Sequence, residues 1–119
     1  MPEVATLTSI SAVKLREKLE SDDRPVLINV LGRDAYRAER IPGSINIPSD
    51  HVEDMITEVV PDKQQDIVVY CADADCSASP EAAHKLEDMG YTRVMDFEAG
   101  LAGWKNAGYK TINNKKEVN

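Results

Sequence analysis

Apolar residues along this chain alternate between two rhythms. Val26-Leu27-Ile28-Asn29-Val30-Leu31 is β-rich and almost continuously apolar, the pattern of a central strand covered on both faces. Asp66-Ile67-Val68-Val69-Tyr70 and Arg93-Val94-Met95-Asp96-Phe97 read the same way, while Thr6–Ile10 and Ile45–Pro48 read as short extended or edge pieces. Between these segments the apolar spacing becomes helical. Ser11 is placed to cap a first helix whose Leu15 and Leu19 lie four apart, with Ile10 and Leu15 spaced as a hydrophobic staple and Asp22-Asp23-Arg24-Pro25 ending it. Gly32-Arg33-Asp34 turns into a short helix carrying Ala35, Tyr36 and Ala38, and Ile41-Pro42-Gly43-Ser44 is a turn. Val52, Met55, Ile56 and Val59 fall at i, i+3, i+4 and i+7 of an amphipathic helix, with Asp50 and Glu53 spaced as a capping pair. Ala78, Ala82, Leu86 and Met89 mark the next helix, which Gly90 stops as a C′ glycine. Gly100 and Gly103 frame a final short helix containing Trp104, Gly108 ends it, and residues 113–119 form a polar tail that frays.

Strands alternating with helices predict an open, mostly parallel sheet with helices on both faces, in which sites form at the carboxyl ends of strands. A chain of 119 residues without a composition break predicts one domain over residues 1–112, able to bury its core without disulfides. The formal net charge of −7 argues against nucleic acid and anionic membrane surfaces as partners. No apolar run is long enough to span a bilayer, and the first residues lack a basic-then-apolar leader pattern, so a cytoplasmic location is expected. Its two cysteines lie five positions apart in one loop, which is not a secreted disulfide framework.

That loop carries the chemistry. Cys71-Ala72-Asp73-Ala74-Asp75-Cys76, followed by Ser77, joins the strand ending at Tyr70 to the helix beginning near Ser79. A cysteine at a strand end, facing loop amides and a helix N-terminus, sits where positive partial charge favours a thiolate.

Four segments, in order, resemble the single-domain rhodanese-like (sulfurtransferase) family. They are Val26–Val30 with Asp34-Ala35-Tyr36, Arg40–Pro48 around Ile41-Pro42-Gly43, Ile67–Cys71, and Glu98–Gly108 with its glycines and Trp104. The resemblance runs from about Leu7 to about Tyr109. It implies a five-stranded, mainly parallel α/β sheet with helices on both faces. It also implies a sulfurtransferase in which Cys71 takes a sulfane sulfur as a persulfide and passes it to a nucleophilic acceptor. The loop Ala72, Asp73, Ala74, Asp75, Cys76 and Ser77 would cradle the outer sulfur, at least three of its amides converging on it, with no metal or organic cofactor. The implied partner is a small sulfur donor or a protein persulfide or thiol, and the chain is expected to be a monomer or weak dimer.

This chain departs from the family at the loop. Where many members have arginines, it has Ala72 and Cys76, and Asp73 and Asp75 add negative charge. Asn29, Leu31 and Arg40 replace the usual aspartate, arginine and histidine. The strand replacements bear on a structural ion pair, whereas the loop replacements bear on the site. Cys76 reads either as a small side chain at the helix start or as a thiol that resolves the Cys71 persulfide. Asp73 and Asp75 read as solvated loop charges or as groups that raise the Cys71 pKa and repel anionic donors. His51 and His84 are not placed as bases, and Trp104 and Tyr91 read as core and rim. Two further functions stand beside sulfur transfer. One is a non-catalytic binding or redox-sensing module using Cys71 and Cys76, and the other is a phosphatase, which the acidic, arginine-free loop disfavours.

Overall fold

Five short parallel strands form the sheet, in the spatial order β1-β6-β5-β2-β4. They are β1 (Thr8–Ser9), β2 (Val26–Asn29), β4 (Ile45–Asn46), β5 (Ile67–Tyr70) and β6 (Val94–Phe97). This computed structural model describes residues 7–113, so Thr6, expected in the first strand, lies outside the described residues. The helices are α1 (Ala12–Leu19), α2 (Arg33–Ala38), α3 (Val52–Val59), α4 (Ala78–Asp88) and α5 (Gly100–Asn106). β3 (Glu39–Arg40) and β7 (Ile112–Asn113) form a separate antiparallel pair. Asn113, expected to begin a frayed tail, is therefore paired with Glu39, and residues 114–119 lie outside the described residues. No helix among the described residues is long and apolar enough to cross a membrane.

The side-chain alternation of β5 builds two cores, one on each face of the sheet. Ile67, Val69 and Cys71 join Val52 and Ile56 of α3 and Ala82, Ala83 and Leu86 of α4. Val68 and Tyr70 join Leu15 of α1, Ile41, Phe97 and Trp104 of α5. Both faces are covered, which is why the strand sequences are apolar runs rather than alternating ones.

Most helix signals act as expected. Ser11 accepts the Lys14 amide at 3.1 Å, and Ile10 and Leu15 share one core. The Asp50–Glu53 capping pair does not form. A 3-10 turn over Ser49–His51 precedes α3, whose N-cap is His51 with no side-chain cap. Val59 is 42% exposed, because α3 ends there and its buried stripe is carried by Val52 and Ile56.

Tyr70, the last residue of β5, makes a polar hub inside the second core. Its hydroxyl accepts from Asn29 Nδ2 at 3.0 Å and from the Ile41 amide at 3.0 Å, and it meets Ser44 Oγ at 2.9 Å. Asn29 Oδ1 accepts the Leu31 amide at 2.9 Å. A neutral network thus stands where the family resemblance implied an ion pair, and it ties β5, β2 and the Ile41–Ser44 turn together. Arg40 stands apart from this network, its guanidinium 4.9 Å from the centre of the Tyr36 ring. Tyr70→Phe leaves Asn29 Nδ2 and the Ile41 amide buried without their acceptor. The expected cost is roughly 2–6 kcal/mol in urea unfolding, at about 1–3 kcal/mol per orphaned group.

Candidate active site

Cys71 sits where the chain leaves β5, at the carboxyl end of the central strand. From β2 the chain crosses to β4 on one side, and from β5 to β6 on the other. The cysteine therefore lies beside the point where strand order reverses, the usual place for a site in an open α/β sheet. Its side chain is fully buried.

Two polar groups lie within hydrogen-bond reach of the sulfur. The thiol lies 3.5 Å from Ser79 Oγ and 3.5 Å from the Cys76 carbonyl oxygen. The Ser79 amide, in the first turn of α4, and the Cys76 side chain lie close enough to influence its ionisation. Burial is the largest influence and pushes the Cys71 thiol up, with the Cys76 side chain adding to this, while the Ser79 hydroxyl and amide oppose it. The helix N-terminus does favour the thiolate, as the sequence predicts, but burial outweighs it.

The loop amides are arranged differently from the expectation. The Asp75 amide donates to Asp73 Oδ1 at 3.1 Å and the Cys76 amide to the Asp73 carbonyl at 3.2 Å. Asp73 thus organises the loop from within, as a short acid in a turn often does. Ala74 and Asp75 are exposed, as is Ser77, which precedes α4 without capping it through its side chain. Cys76 is half-buried, and both cysteines are free thiols. His51 and His84 are exposed on their helices, His84 Nδ1 lying 3.8 Å from Glu87.

The loop backbone is held from the opposite side by α5. The Leu101 amide donates to the Cys71 carbonyl and the Ala102 amide to the Ala72 carbonyl, each at 2.9 Å. Gly100 adopts φ +66°, and a Cβ there would lie 2.5 Å from the Cys71 carbonyl oxygen and 2.9 Å from the Asp73 nitrogen. The glycine is required twice, for its backbone conformation and for this approach.

Ser79, Asp96 and Gly100 belong to the site and escape the sequence reading. An acid inside the buried strand Val94–Phe97 was the available signal for Asp96. Asp96 is 4% exposed, Ser79 lies close enough to influence its carboxyl, and its Oδ1 is buried without a partner among the described residues. Burial pushes its carboxyl up, with nearby Glu98 contributing in the same direction, while Ser79 and the distant charge of His84 oppose. A cavity of about 190 Å³ opens beside the loop, lined among others by Ser9, Ala74, Cys76, Ser79, Asp96 and Glu98.

With this geometry in hand, comparison with known proteins places the chain. Residues 11–107 match the Rhodanese-like domain family, and the chain belongs to it. It is 33% identical over 100 residues to the HTH-type transcriptional regulator Rv0324 of Mycobacterium tuberculosis, covering 84% of this chain and 42% of that protein. It is 39% identical over 67 residues to the thiosulfate sulfurtransferase PspE of Escherichia coli, covering 56% of this chain and 62% of that protein. The chain thus spans about half the length of these curated relatives. The dual specificity phosphatase ibp1 of Schizosaccharomyces pombe is 31% identical over 108 residues, covering 83% of this chain and 72% of that protein. The crystal structure of a thiosulfate sulfurtransferase from Pseudomonas aeruginosa superposes with a TM-score of 0.83 at 27% identity, covering 90% of this chain and 20% of that one. The five-stranded parallel sheet expected from the sequence is the fold observed.

Two outcomes follow from this geometry. Gly100→Ala strains the backbone and drives a methyl group into the loop, so unfolding free energy should fall by roughly 1–3 kcal/mol and Cys71 should react faster with iodoacetamide. In the unmodified protein, the rate of Cys71 alkylation should keep rising with pH through the ordinary thiol pKa of about 8.5, because burial holds the thiol protonated. A plateau below neutral pH would contradict the second expectation.

Proposed function

We propose that this domain moves sulfane sulfur through a persulfide on Cys71. The supporting observation is a buried cysteine at the strand end whose sulfur lies 3.5 Å from the Ser79 hydroxyl at the start of α4. The Cys71 thiolate attacks the outer sulfur of a donor. A new S–S bond forms, and the donor remnant leaves with the electron pair of the broken bond. A nucleophilic acceptor then attacks the outer sulfur of the persulfide and releases Cys71 as thiolate. The Ser79 hydroxyl, once turned to donate to the sulfur, and the N-terminus of α4 stabilise negative charge at both stages, and neither step consumes an oxidant.

Negative charge at the site sets donor preference. Asp73 and Asp75 follow the cysteine in the same loop, and no arginine occurs between Cys71 and Ser77. The same lack of a cation weighs against phosphate-ester chemistry, which needs its equatorial oxygens neutralised. Thiosulfate, a dianion, is therefore a poor donor beside a neutral or protein-bound persulfide.

Cys76, whose carbonyl oxygen lies 3.5 Å from the Cys71 sulfur and which packs against the same core, favours a second, redox-sensing reading of the pair. There Cys76 attacks the persulfide, closing a Cys71–Cys76 disulfide and releasing hydrogen sulfide.

Single-turnover kinetics with a series of donors test these readings. Asp73→Asn with Asp75→Asn, which keeps the Asp73 acceptor oxygen, should raise the thiosulfate rate up to about fivefold per charge removed, and more at low ionic strength. Cys71→Ser should abolish transfer from every donor. Cys76→Ser should leave the first turnover intact under the transfer reading and prolong persulfide lifetime under the redox reading. Fast thiosulfate turnover that the Asn replacements leave unchanged would show that the loop carboxylates do not act on the donor.

A further inference from the structure

The cavity beside the loop lies on the sheet face that carries Cys71. Asp96 of β6 is in register with Val69 of β5 and Ser9 of β1, so its side chain points to the same face as Val69 and Cys71. Ser79 forms a wall of the cavity and also meets the Cys71 sulfur at 3.5 Å. Cys76 forms another wall, and its carbonyl oxygen is 3.5 Å from the same sulfur. The cavity is therefore one side chain removed from the reacting atom.

Its chemistry is one-sided. Asp96 brings a nearly fully buried carboxyl with one oxygen unpartnered among the described residues, Glu98 brings a second acid, and no lysine or arginine among the described residues lines the space. Oδ1 itself has almost no accessible surface, so the cavity meets the remainder of the Asp96 carboxyl, and a cation in the cavity offsets the cost of burying that group near a second acid. A volume of about 190 Å³ is below the range for drug-sized ligands, so the occupant is small.

We propose that this cavity is a subsite for the ammonium group of a small aminothiol, free or as its persulfide. The proposal rests on the sulfur-transfer reading and names the substrate class for it. The ammonium would bind at Asp96, with Glu98 adding attraction, and would remain protonated throughout. The substrate's own sulfur would lie toward Cys71, past Ser79 and Cys76. In the acceptor direction, the aminothiolate attacks the outer sulfur of the Cys71 persulfide. The S–S bond of the aminothiol persulfide forms, and Cys71 leaves with the electron pair. Thiols bearing a carboxylate or sulfonate meet Asp96, Glu98 and the loop acids with no compensating cation, so the site rejects them.

Thiosulfonate reagents that differ only in charge read the cavity without any persulfide. The probes are 2-aminoethyl, methyl and 2-sulfonatoethyl methanethiosulfonate. The protein is the full chain carrying Cys71→Ser, which leaves Cys76, on the cavity wall, as its single thiol. The Cys76 thiolate displaces methanesulfinate and forms a disulfide with the aminoethyl, methyl or sulfonatoethyl group, and intact mass follows the rate. After normalisation to a free cysteine derivative, the cationic reagent should lead the anionic one by about tenfold or more, a gap of about 1.4 kcal/mol. Adding Asp96→Asn should reduce the preference to within about twofold, whereas adding Asp22→Asn, an exposed acid at the far end of α1, should leave it unchanged. The preference should also persist at about 1 M salt, where the screening length is about 3 Å and surface charge no longer acts. Equal rates for the three probes, a preference indifferent to Asp96→Asn, or one lost at high salt would each overturn the proposal. Should the Asp96→Asn protein not fold, the salt series on the Cys71→Ser protein decides alone. Because no sulfur transfer is measured, failure here is distinguishable from failure of the persulfide mechanism.

Discussion

The first turn of α5 holds the cysteine loop by its backbone, and the rest of the site depends on that grip. Two amides, from Leu101 and Ala102, take the carbonyls of Cys71 and Ala72, and Gly100 lets the two chains approach to a distance that excludes any side chain. With those carbonyls occupied, the chain must rise from β5 and turn directly into α4. That turn brings the Ser79 hydroxyl to 3.5 Å from the Cys71 sulfur. Below the loop, the Tyr70 hydroxyl locks the end of the same strand to β2 and to the Ile41–Ser44 turn. The sulfur is thus fixed from beneath, behind and beside by groups that are themselves buried or backbone-bound. This is the preorganisation a group-transfer site needs.

Electrostatically the site is spare. Neutral donors at Ser79 face a thiol that burial pushes up, and the surrounding ionised groups are acids rather than the arginines common in the family. Such a site gains little from attracting anions and much from excluding water around the sulfur. Asp96 extends the same logic outward, since a buried carboxyl beside a cavity, with one oxygen unpartnered among the described residues, calls for a hydrogen-bond donor or a cation.

Much of this was legible in the sequence. The unbroken apolar runs at Val26–Leu31 and Ile67–Tyr70 announced strands covered on both faces, and the strand-to-helix step placed Cys71 at a carboxyl end. Local signals at Ser11 and Gly90 also acted as their chemistry dictates, Gly90 at φ +99°. Contacts between distant segments were not legible. Periodicity shows that Tyr70 is buried but not that its hydroxyl meets Asn29 and Ser44, 41 and 26 residues away. Asp96 could be noticed as an acid in a buried strand, yet its link to Ser79 depends on how α4 lies across β6. At Asp73 the loop satisfied its own backbone, a choice that residue spacing alone does not disclose. At Asp50 a 3-10 turn displaced the capping pair that spacing favoured.

Intact mass after exposure to sulfur donors tests the central claim most directly. Purified protein is treated in turn with thiosulfate, a neutral polysulfide and a protein persulfide, then digested and mapped. The persulfide account predicts a gain of one sulfur atom on the peptide containing Cys71, removed by cyanide, absent in Cys71→Ser and retained in Cys76→Ser. No cyanide-labile sulfur on Cys71 with any of the three donors, in a folded protein with both thiols reduced, would contradict it.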